Sequence, residues 1–257
     1  MGEWVRGRVT AKKQWADSLF SLRIDAPMDA FVAGQYAKVA LDVGDERIGR
    51  PYSLVNAPDQ RPLEIYFNEV LEGPLTPRLS DLDEGDGLWV SSKPGGIFTM
   101  DNVVSRRHLW LLATGTALGV YLSILRTPEP WERFERVILV HGVRSADELT
   151  YQDTVAELAR QHGDRFRFIP ALSRERRDGP LHGRITHLLR NGDLEAAAGI
   201  RIDPDDSHLM LCGNSEMIKD VRAILESRRL RRHRRHEPGH YTTEQYHCER
   251  RGGRPDG

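Results

Sequence analysis

The sequence predicts a two-domain protein in which an antiparallel β-domain precedes an α/β domain. The chain has 257 residues, which is more than one small core requires and suits two domains of ordinary size. Short segments that alternate apolar and polar side chains fill the first hundred residues, as in strands with one buried face. Beyond them, apolar runs alternate with helical patterns, as in a parallel sheet with helices on both faces. We therefore predict domains over 1–100 and 101–247, followed by a C-terminal tail over 248–257.

Six strands are predicted in the N-terminal domain, with turn-forming residues between them. The strands are Trp4–Thr10, Leu19–Ile24, Tyr36–Leu41, Tyr52–Asn56, Leu63–Asn68 and Gly87–Val90. Strands of this length and spacing are typical of a small antiparallel barrel or sandwich. One short helix interrupts them, for which Thr76 is the predicted N-terminal cap and Pro77 the first helical residue.

Strands and helices alternate in the C-terminal domain. The strands are Leu109–Ala113, Val137–Val140, Phe166–Ala171 and Leu209–Cys212, and the helices are Leu118–Arg126, Leu149–His162, Arg184–Arg190 and Ser215–Ser227. The segments 93–96 and 101–107 are predicted to form a hinge between the domains. Residues 248–257 are rich in glycine and arginine and lack a pattern, which predicts a loose tail.

Composition excludes several classes of protein. The hydrophobic share of 39% and the charged share of 29% predict a folded, soluble chain, and the formal net charge of -1 gives no argument for nucleic-acid binding. Two cysteines, Cys212 and Cys248, are too few for an iron–sulfur cluster or a disulfide framework, so we expect no metal centre. Because the first residues turn polar at once and no apolar run is long enough to span a bilayer, we expect a cytoplasmic protein without a membrane partner.

The tetrapeptide Arg50-Pro51-Tyr52-Ser53 carries three side chains suited to a flat, phosphorylated ligand. Arg50 offers a planar fork for a phosphate, Tyr52 a ring for stacking, and Ser53 a hydroxyl for a ring nitrogen. In isolation the tetrapeptide is more often a strand start with one exposed arginine. The stretch 73–80 is also ambiguous, because a helix start can bind pyrophosphate but also occurs as an ordinary capped surface helix.

Polar side chains follow the predicted strands of the C-terminal domain. The turn at 113–119 lacks the Rossmann glycine spacing but has the strand–turn–helix form of a nucleotide site, or of any tight turn. The carboxyl ends of later strands carry Arg144, Ser173, Arg174 and Arg184. In an open parallel sheet these positions share one crevice, where several arginines favour a 2′-phosphate, hence NADP over NAD. A single arginine there is more often solvated surface, and Cys212 at a strand end is either a contact for a bound ring or a small buried hydrophobe.

The order of these pieces resembles the bacterial ferredoxin/flavodoxin–NADP reductases of the proteobacterial type, from Trp4 to about Tyr246. The matching motifs are Arg50–Ser53 for Arg-x-Tyr-Ser, Leu63–Asn68 with Tyr66 for the second flavin strand, Gly73–Thr76 for the pyrophosphate loop, Gly115–Ala117 for the Gly-Thr-Ala turn, Cys212–Gly213 for the Cys-Gly pair and Pro238–Glu244 for the closing stretch. The resemblance implies a ferredoxin reductase-like fold. A six-stranded antiparallel β-barrel would bind FAD, and a parallel sheet flanked by helices would bind NADP(H).

The resemblance also implies the site residues. Those for FAD are Arg50, Pro51, Tyr52, Ser53, Tyr66, Pro74, Leu75, Thr76, Thr116, Tyr246 and His247. Those for NADP(H) are Val143, Arg144, Ser173, Arg174, Arg184, Asn214, Ser215, Glu216 and Asp220. The catalytic residues are Ser53, which would orient the flavin N5, and Cys212 and Glu244, which would border the reacting rings. The sequence departs from the family at two points. Close relatives end in an aromatic pair, whereas here the matching pair is Tyr246-His247 and the chain continues to Gly257. Val120 stands where a proline is usual.

The activity implied is hydride transfer between NADP(H) and FAD, coupled to one-electron exchange with ferredoxin or flavodoxin. Two alternatives stay open, a flavin or oxygenase-component reductase of the same fold and a non-catalytic redox-sensing flavoprotein. Acidic carriers would be steered by basic surface. The arginine cluster, defined as the six arginines of segment 228–235, is either such a surface or a solvated helix end. We expect a monomer.

Overall fold

The computed structural model describes residues 3–246. His247, Cys248 and the predicted tail over 248–257 lie outside the described residues, so the predictions made for them stay predictions. The domain boundaries at 100 and 247 likewise stay predictions. Within the described residues, no helix is long and apolar enough to cross a membrane.

Six antiparallel strands form the first sheet. They are β1 (Trp4–Ala16), β2 (Leu19–Asp25), β3 (Tyr36–Val43), β4 (Glu46–Ser53), β5 (Leu63–Asn68) and β6 (Gly87–Ser91), in the order β4-β3-β6-β1-β2-β5. Just after β4, Leu54 forms an antiparallel bridge with Ile65 of β5. This bridge connects the two edges of the sheet, so the strands close as the predicted barrel rather than as a sandwich.

The barrel core contains the apolar side chains that alternate along these strands. Leu22, Leu54 and Ile65 are fully buried in it, together with Leu75 and Leu79 from the segment between β5 and β6. Those two leucines anchor the short helix α1 (Thr76–Ser80) on the barrel.

The predicted cap of α1 was wrong, because Leu75 occupies the N-cap position. The hydroxyl of Thr76 instead accepts a hydrogen bond from the backbone N–H of Val70, at 2.8 Å. Thr76 therefore fixes the loop before the helix rather than the helix start.

The second sheet is parallel throughout. Its strands are β7 (His108–Thr114), β8 (Arg136–Val143), β9 (Phe166–Leu172), β10 (Leu181–His182), β11 (Ser207–Gly213) and β12 (Tyr241–Gln245), in the order β10-β9-β8-β7-β11-β12. The helices are α2 (Leu118–Leu125), α3 (Glu129–Arg133), α4 (Gln152–His162), α5 (Ile185–Arg190), α6 (Asp193–Ala198) and α7 (Ser215–Ser227). The central strands are apolar on both faces, as parallel strands covered by helices are.

Helix α2 lies between the two sheets. One face of the parallel sheet, α2 and the barrel residues Val55 and Tyr66 belong to a single apolar cluster. An ideal Cβ on Gly119 would approach Val55 Cγ2 to 3.1 Å, so the helix backbone contacts the barrel closely. The hydroxyl of Ser123 donates to the carbonyl of Asn56 at 2.8 Å, and Arg126 donates to the carbonyl of Val55 at 2.8 Å.

Two predicted elements were misplaced. The strand predicted over Tyr52–Asn56 lies earlier, at β4, and the chain leaves it at Ser53 to form the closing bridge. The helix predicted from Leu149 begins at Gln152, because Tyr151 adopts a left-handed conformation with φ 54° that interrupts helical hydrogen bonding.

The sequence patterns gave no signal for four short elements: α3, α6, β10 and β12. Only the first arginine of the arginine cluster lies at the helix end, because Arg228 is the C-cap of α7 and the chain then turns through a left-handed Arg229. Further on, Arg234 and Glu237 exchange backbone hydrogen bonds in a short hairpin that precedes β12.

Candidate functional site

The candidate site lies where the carboxyl ends of β7, β11 and β12 meet the end of β4. Ser53 is the last residue of β4, and Cys212 pairs in register with Ala113 of β7 and with Glu244 of β12. The three predicted catalytic residues thus come from a barrel strand and from two adjacent parallel strands. The carboxyl edge of such a sheet is the usual place for a ligand.

Tyr246 connects the barrel to the parallel sheet at this point. Its backbone N–H donates to the carbonyl of Gly213 at 3.1 Å, and its phenol hydroxyl donates to Ser53 Oγ at 2.7 Å. The ring packs against the apolar cluster that includes Cys212. Tyr246 therefore covers the hydroxyl that was predicted to contact the flavin.

Gly213 makes the close approach of β11 and β7 possible. Its φ is +127°, and an ideal Cβ there would lie 2.1 Å from Thr114 Oγ1. The same threonine oxygen accepts the backbone N–H of Asn214 at 2.8 Å. The glycine that follows Cys212 is therefore required by the turn, which sets the distance between the ends of the two strands.

Burial holds protons on the acidic groups of the site. Burial raises the pKa of Glu244 to about 7, and its Oε2 has no hydrogen-bond partner among the described residues. Burial, followed by the charge of Glu244, raises the pKa of the Cys212 thiol well above its ordinary value. Cys212 is therefore a neutral thiol at neutral pH, while Glu244 exchanges a proton in the physiological range.

The turn after β7 is half-buried and leaves open space at Gly115. Gly115 has a φ of +55°, and an ideal Cβ there would have no described heavy atom within 4 Å. His141 of β8 is fully buried, and its Nε2 lies 3.0 Å from the Gly115 carbonyl. Because burial lowers the pKa of His141 to about 4, the neutral ring donates to that carbonyl and fixes the turn. Thr116, the next residue, is half-buried.

The predicted FAD residues of the barrel occupy two different environments. Arg50 and Pro51 are exposed, and the ring of Tyr52 contacts Phe67 edge-on at 5.9 Å. Tyr66 is buried at the contact between the sheets, where its phenol oxygen accepts a hydrogen bond from Thr150 at 2.9 Å.

Part of the predicted pyrophosphate loop packs into the barrel core. Pro74 is half-buried, whereas the side chain of Leu75 is in the barrel core. The N–H groups of Arg78 and Leu79 both bond to the Leu75 carbonyl, and Pro77 carries no N–H. Few backbone donors are therefore left at the helix start for a phosphate. The N–H of Thr76, the first helical residue, is the donor that we assign to it.

The predicted NADP residues at the ends of β8, β9 and β10 do come together. The backbone N–H of Ser173 bonds to the Val143 carbonyl, and that of Arg174 bonds to the Arg144 carbonyl, each at 2.9 Å. Arg184 follows β10 at the N-cap of α5 and is exposed. Three guanidinium groups thus lie on three neighbouring strand ends.

The start of α7 carries the remaining predicted NADP residues. The side-chain oxygen of Asn214 caps the helix by accepting from the N–H groups of Glu216 and Met217 at 2.9 and 3.2 Å. Asn214, Glu216 and Asp220 are exposed and Ser215 is half-buried. Because Asn214 is committed to capping, its amide nitrogen is the part of the side chain available to a ligand.

Three site residues were not predicted: Thr114, His141 and Glu148. The Glu148 carboxylate accepts from the backbone N–H of Arg144 at 3.0 Å and from its Nε at 2.6 Å, so it orients that guanidinium. A histidine inside an apolar strand, at His141, was the one signal available in the sequence. Glu148 lies only four residues after the arginine that it binds, whereas Thr114 acts through a contact with Asn214, which is one hundred residues away.

The residues at the site fit a flavin and a phosphorylated dinucleotide. An unpartnered carboxyl oxygen on Glu244, open space in front of Gly115 and an aromatic ring at Tyr246 suit a flat ring with polar edges. The three arginines at neighbouring strand ends suit phosphate groups. Among residues 3–246, no group of three or more metal-binding side chains could hold a metal ion.

Comparison with known proteins gives consistent matches. Residues 111–223 match the model of the oxidoreductase NAD-binding domain family. The chain is similar to the flavodoxin/ferredoxin–NADP reductase of Escherichia coli K12, with 43% identity over 96% of the chain and 100% of the relative. It is similar to the ferredoxin–NADP reductase of Pseudomonas aeruginosa, with 37% identity over 95% of the chain and 97% of the relative.

Solved structures agree with the sequence matches. A crystal structure of a ferredoxin NADP+ reductase from Neisseria gonorrhoeae, with bound FAD and NADP, matches with a TM-score of 0.90 and 29% identity, over 95% of this chain and 99% of that one. A cytochrome P450 reductase from Amycolatopsis matches with a TM-score of 0.77 and 26% identity, over 95% of this chain and 69% of that one.

We predict that replacing Gly213 with alanine destabilises the protein. The new Cβ would overlap Thr114 Oγ1, and the left-handed backbone would be strained, so we expect a loss of at least about 2 kcal/mol in urea unfolding. The control is Gly87→Ala, where the nearest atom is 3.8 Å away. Equal unfolding midpoints for the two variants would contradict this account of the turn.

We predict that Glu244 makes the unfolding free energy depend on pH. Its pKa is about 7 in the folded protein and near 4.5 when unfolded, so the folded state binds more protons between these values. Stability should therefore fall as pH rises from 4.5 to 7, by roughly 3 kcal/mol if the whole shift is realised. In Glu244→Gln this part of the slope should vanish, which urea unfolding of both proteins from pH 4.5 to 8 would measure. Parallel pH profiles would show that the carboxyl titrates normally.

Proposed function

Because the chain belongs to the family of bacterial flavodoxin/ferredoxin–NADP reductases, we propose that it moves hydride between NADP(H) and a bound FAD and exchanges single electrons with a ferredoxin or a flavodoxin. The observation that carries this proposal is the meeting of Ser53 from the barrel with Cys212, Glu244 and Tyr246 from the parallel sheet. When bound, FAD supplies the change from two-electron to one-electron chemistry that side chains lack.

We place FAD along the barrel, against the residues that the family resemblance implies. Arg50 and the N–H of Thr76 would bind its phosphates, and the ring of Tyr52 would pack on an aromatic face. Tyr66 and Ser53 would donate hydrogen bonds to the polar edge of the flavin. Pro51, Pro74, Leu75 and Thr116 would contribute backbone and surface contacts, as would His247 beyond the described residues.

NADP(H) would bind across the carboxyl ends of the parallel strands. Ser173, Arg174 and Arg184 would hold the 2′-phosphate, while Val143 and Arg144 would border the rest of the nucleotide. Residues Asn214, Ser215, Glu216 and Asp220 at the start of α7 would complete the site. The exposed guanidinium groups support this placement, because planar forks bind phosphate oxygens in pairs.

Four side chains of this protein would act at the reacting rings. Tyr246 donates its phenol hydrogen to Ser53, so the hydroxyl hydrogen of Ser53 remains for the flavin, while an incoming nicotinamide would displace the Tyr246 ring. Glu244 holds an exchangeable proton near neutral pH, and Cys212 stays neutral and fills the space between the strand ends. Together they would exclude water from the rings, and the Glu244 carboxyl would offer one proton there.

We propose that the electron carrier is an acidic protein. It would have to approach the edge of the flavin. Arg232 of the arginine cluster pairs with Tyr241, the first residue of β12, and the length of that strand, about 17 Å for five residues, separates it from Tyr246. It therefore lies at the far end of the strand from the site. We propose that it does not guide the carrier. The monomeric state and the cytoplasmic location stay predictions.

An absorbance experiment tests the function. Purified protein supplied with FAD should show a flavin spectrum that bleaches on anaerobic addition of NADPH and recovers on addition of oxidised ferredoxin or flavodoxin. A colourless protein that refuses FAD would overturn the proposal. Bleaching without recovery by either carrier would favour a reductase with another acceptor, for which the Amycolatopsis match supplies a precedent of the same fold.

We predict that Arg174→Ala and Arg184→Ala each weaken NADPH binding about 10- to 100-fold and leave NADH binding within about twofold. The reason is that each removes charged hydrogen bonds to the 2′-phosphate, which NADH lacks. Dissociation constants from flavin-difference titrations would measure this. Arg160→Ala is the control, since that arginine is exposed on α4 and paired with Glu157. Equal losses for both nucleotides would contradict the 2′-phosphate assignment.

A further inference from the structure

Two buried hydrogen bonds clamp strand β5 to the loop before α4. Glu64 and Tyr66 are two residues apart on β5 and therefore face the same way. Glu64 Oε1 accepts the phenol hydrogen of Tyr151 at 2.7 Å, and the oxygen of Tyr66 accepts the hydroxyl hydrogen of Thr150 at 2.9 Å. Two residues on the same face of β5 thus contact two consecutive residues of the loop before α4.

The direction of the second bond determines what Tyr66 can do. A phenol has one hydrogen to donate and lone pairs to accept. Because Thr150 donates into the oxygen, the phenol hydrogen of Tyr66 remains for an acceptor elsewhere. The ring itself is buried and contacts Tyr151 edge-on at 5.3 Å, so it cannot turn freely.

Tyr151 holds Thr150 in place through an uncommon backbone conformation. Its φ of 54° and ψ of 30° are left-handed, which bulky residues adopt only where the surroundings impose it. Here the surroundings are the bond to Glu64 and a ring contact with Trp15 at 4.2 Å. Glu64 is itself fixed, because its backbone N–H bonds to Asn56 Oδ1 at 2.8 Å.

The clamp continues to the nucleotide side of the protein. The backbone N–H of Thr150 bonds to the carbonyl of Glu148 at 3.0 Å, and the Glu148 carboxylate binds Arg144. A short, hydrogen-bonded segment therefore links a proposed NADP residue to the oxygen of a proposed FAD residue.

We propose that Thr150 and Tyr151 are positioning residues that aim the phenol hydrogen of Tyr66 at the flavin and so set where the flavin lies relative to the NADP-binding strand ends. The inference rests on the proposed function and deepens it. Neither residue is required to touch either cofactor. Their effect passes through Tyr66 and through the fixed spacing of β5 from the loop before α4.

The test compares Thr150→Val, which keeps the shape and removes the hydroxyl, with Thr150→Ser, which keeps the hydroxyl. In Thr150→Val we expect the dissociation constant of FAD from the apo-protein to rise about tenfold, the cost of roughly one hydrogen bond. Flavin reduction at saturating NADPH should slow several-fold while the KM for NADPH is unchanged. Thr150→Ser should restore both values toward those of the wild type.

Two further variants separate positioning from general loss of structure. Thr154→Val removes another threonine hydroxyl from the same interface, one that accepts from Arg126, and should leave FAD affinity unchanged. In a cycle with Tyr66→Phe, the double variant with Thr150→Val should bind FAD no more weakly than Tyr66→Phe alone. Tyr151→Phe keeps the ring but loses the bond to Glu64, and it should weaken FAD binding in the same direction.

Three outcomes would overturn the clamp. One is wild-type FAD affinity in Thr150→Val, even if its thermal stability falls. Another is an equal loss in Thr154→Val, and the third is full additivity with Tyr66→Phe. If the wild-type protein binds FAD and is reduced by NADPH, these failures leave the proposed function intact. If the wild type takes up no FAD, the proposed function fails, and this inference fails with it.

Discussion

Helix α2 lies between the two sheets with all eight of its residues buried, and the relative position of the sheets depends on that burial. Within the helix, Tyr121 donates to the carbonyl of Met210 at 2.7 Å, which attaches the helix to β11 as well as to the barrel. Because a close-packed interior does not deform gradually, the end of β4 is held at a fixed distance from the ends of β7 and β11. The contact between Ser53 and Tyr246 is possible only at that distance.

Strand β12 brings polar groups into this apolar setting. It is an edge strand whose alternate residues, Thr242 and Glu244, turn toward the cluster shared by the sheets, and each carries a buried oxygen without a partner in the described residues. Unpaired buried oxygens lower the free energy of unfolding, so these two side chains do not serve the stability of the fold. The arrangement is consistent with a site where a bound ring completes the hydrogen bonding.

The alternation of short strands and then of strands with helices was enough to predict both sheets, and Leu63–Asn68 and Ser215–Ser227 were placed to the residue. The strand Tyr241–Gln245 was not predicted, because its polar sequence forms a strand only by pairing with β11. The order of motifs also predicted Ser53, Cys212 and Glu244 as one site; these residues lie on elements that meet, and their catalytic roles stay a prediction. The hydrogen bonds of His141 and Thr150 join residues distant in sequence, so they depend on tertiary contacts that no local pattern contains. The bond between Glu148 and Arg144 spans only four residues, but it lies in a loop for which no element was predicted.

The arginines at the strand ends are not equivalent, although the sequence presents them alike. Arg144 already shares its charge with Glu148, whose side chain is only 13% exposed, so a phosphate there competes with a carboxylate held in place by the Arg144 backbone. Arg174 and Arg184 are exposed on neighbouring strand ends, in loops that β9 and β10 bring together. A dianionic 2′-phosphate gains most from cations whose charge is not already balanced nearby. Selectivity for NADP over NAD should therefore depend on Arg174 and Arg184, with Arg144 orienting the nucleotide rather than distinguishing its phosphate.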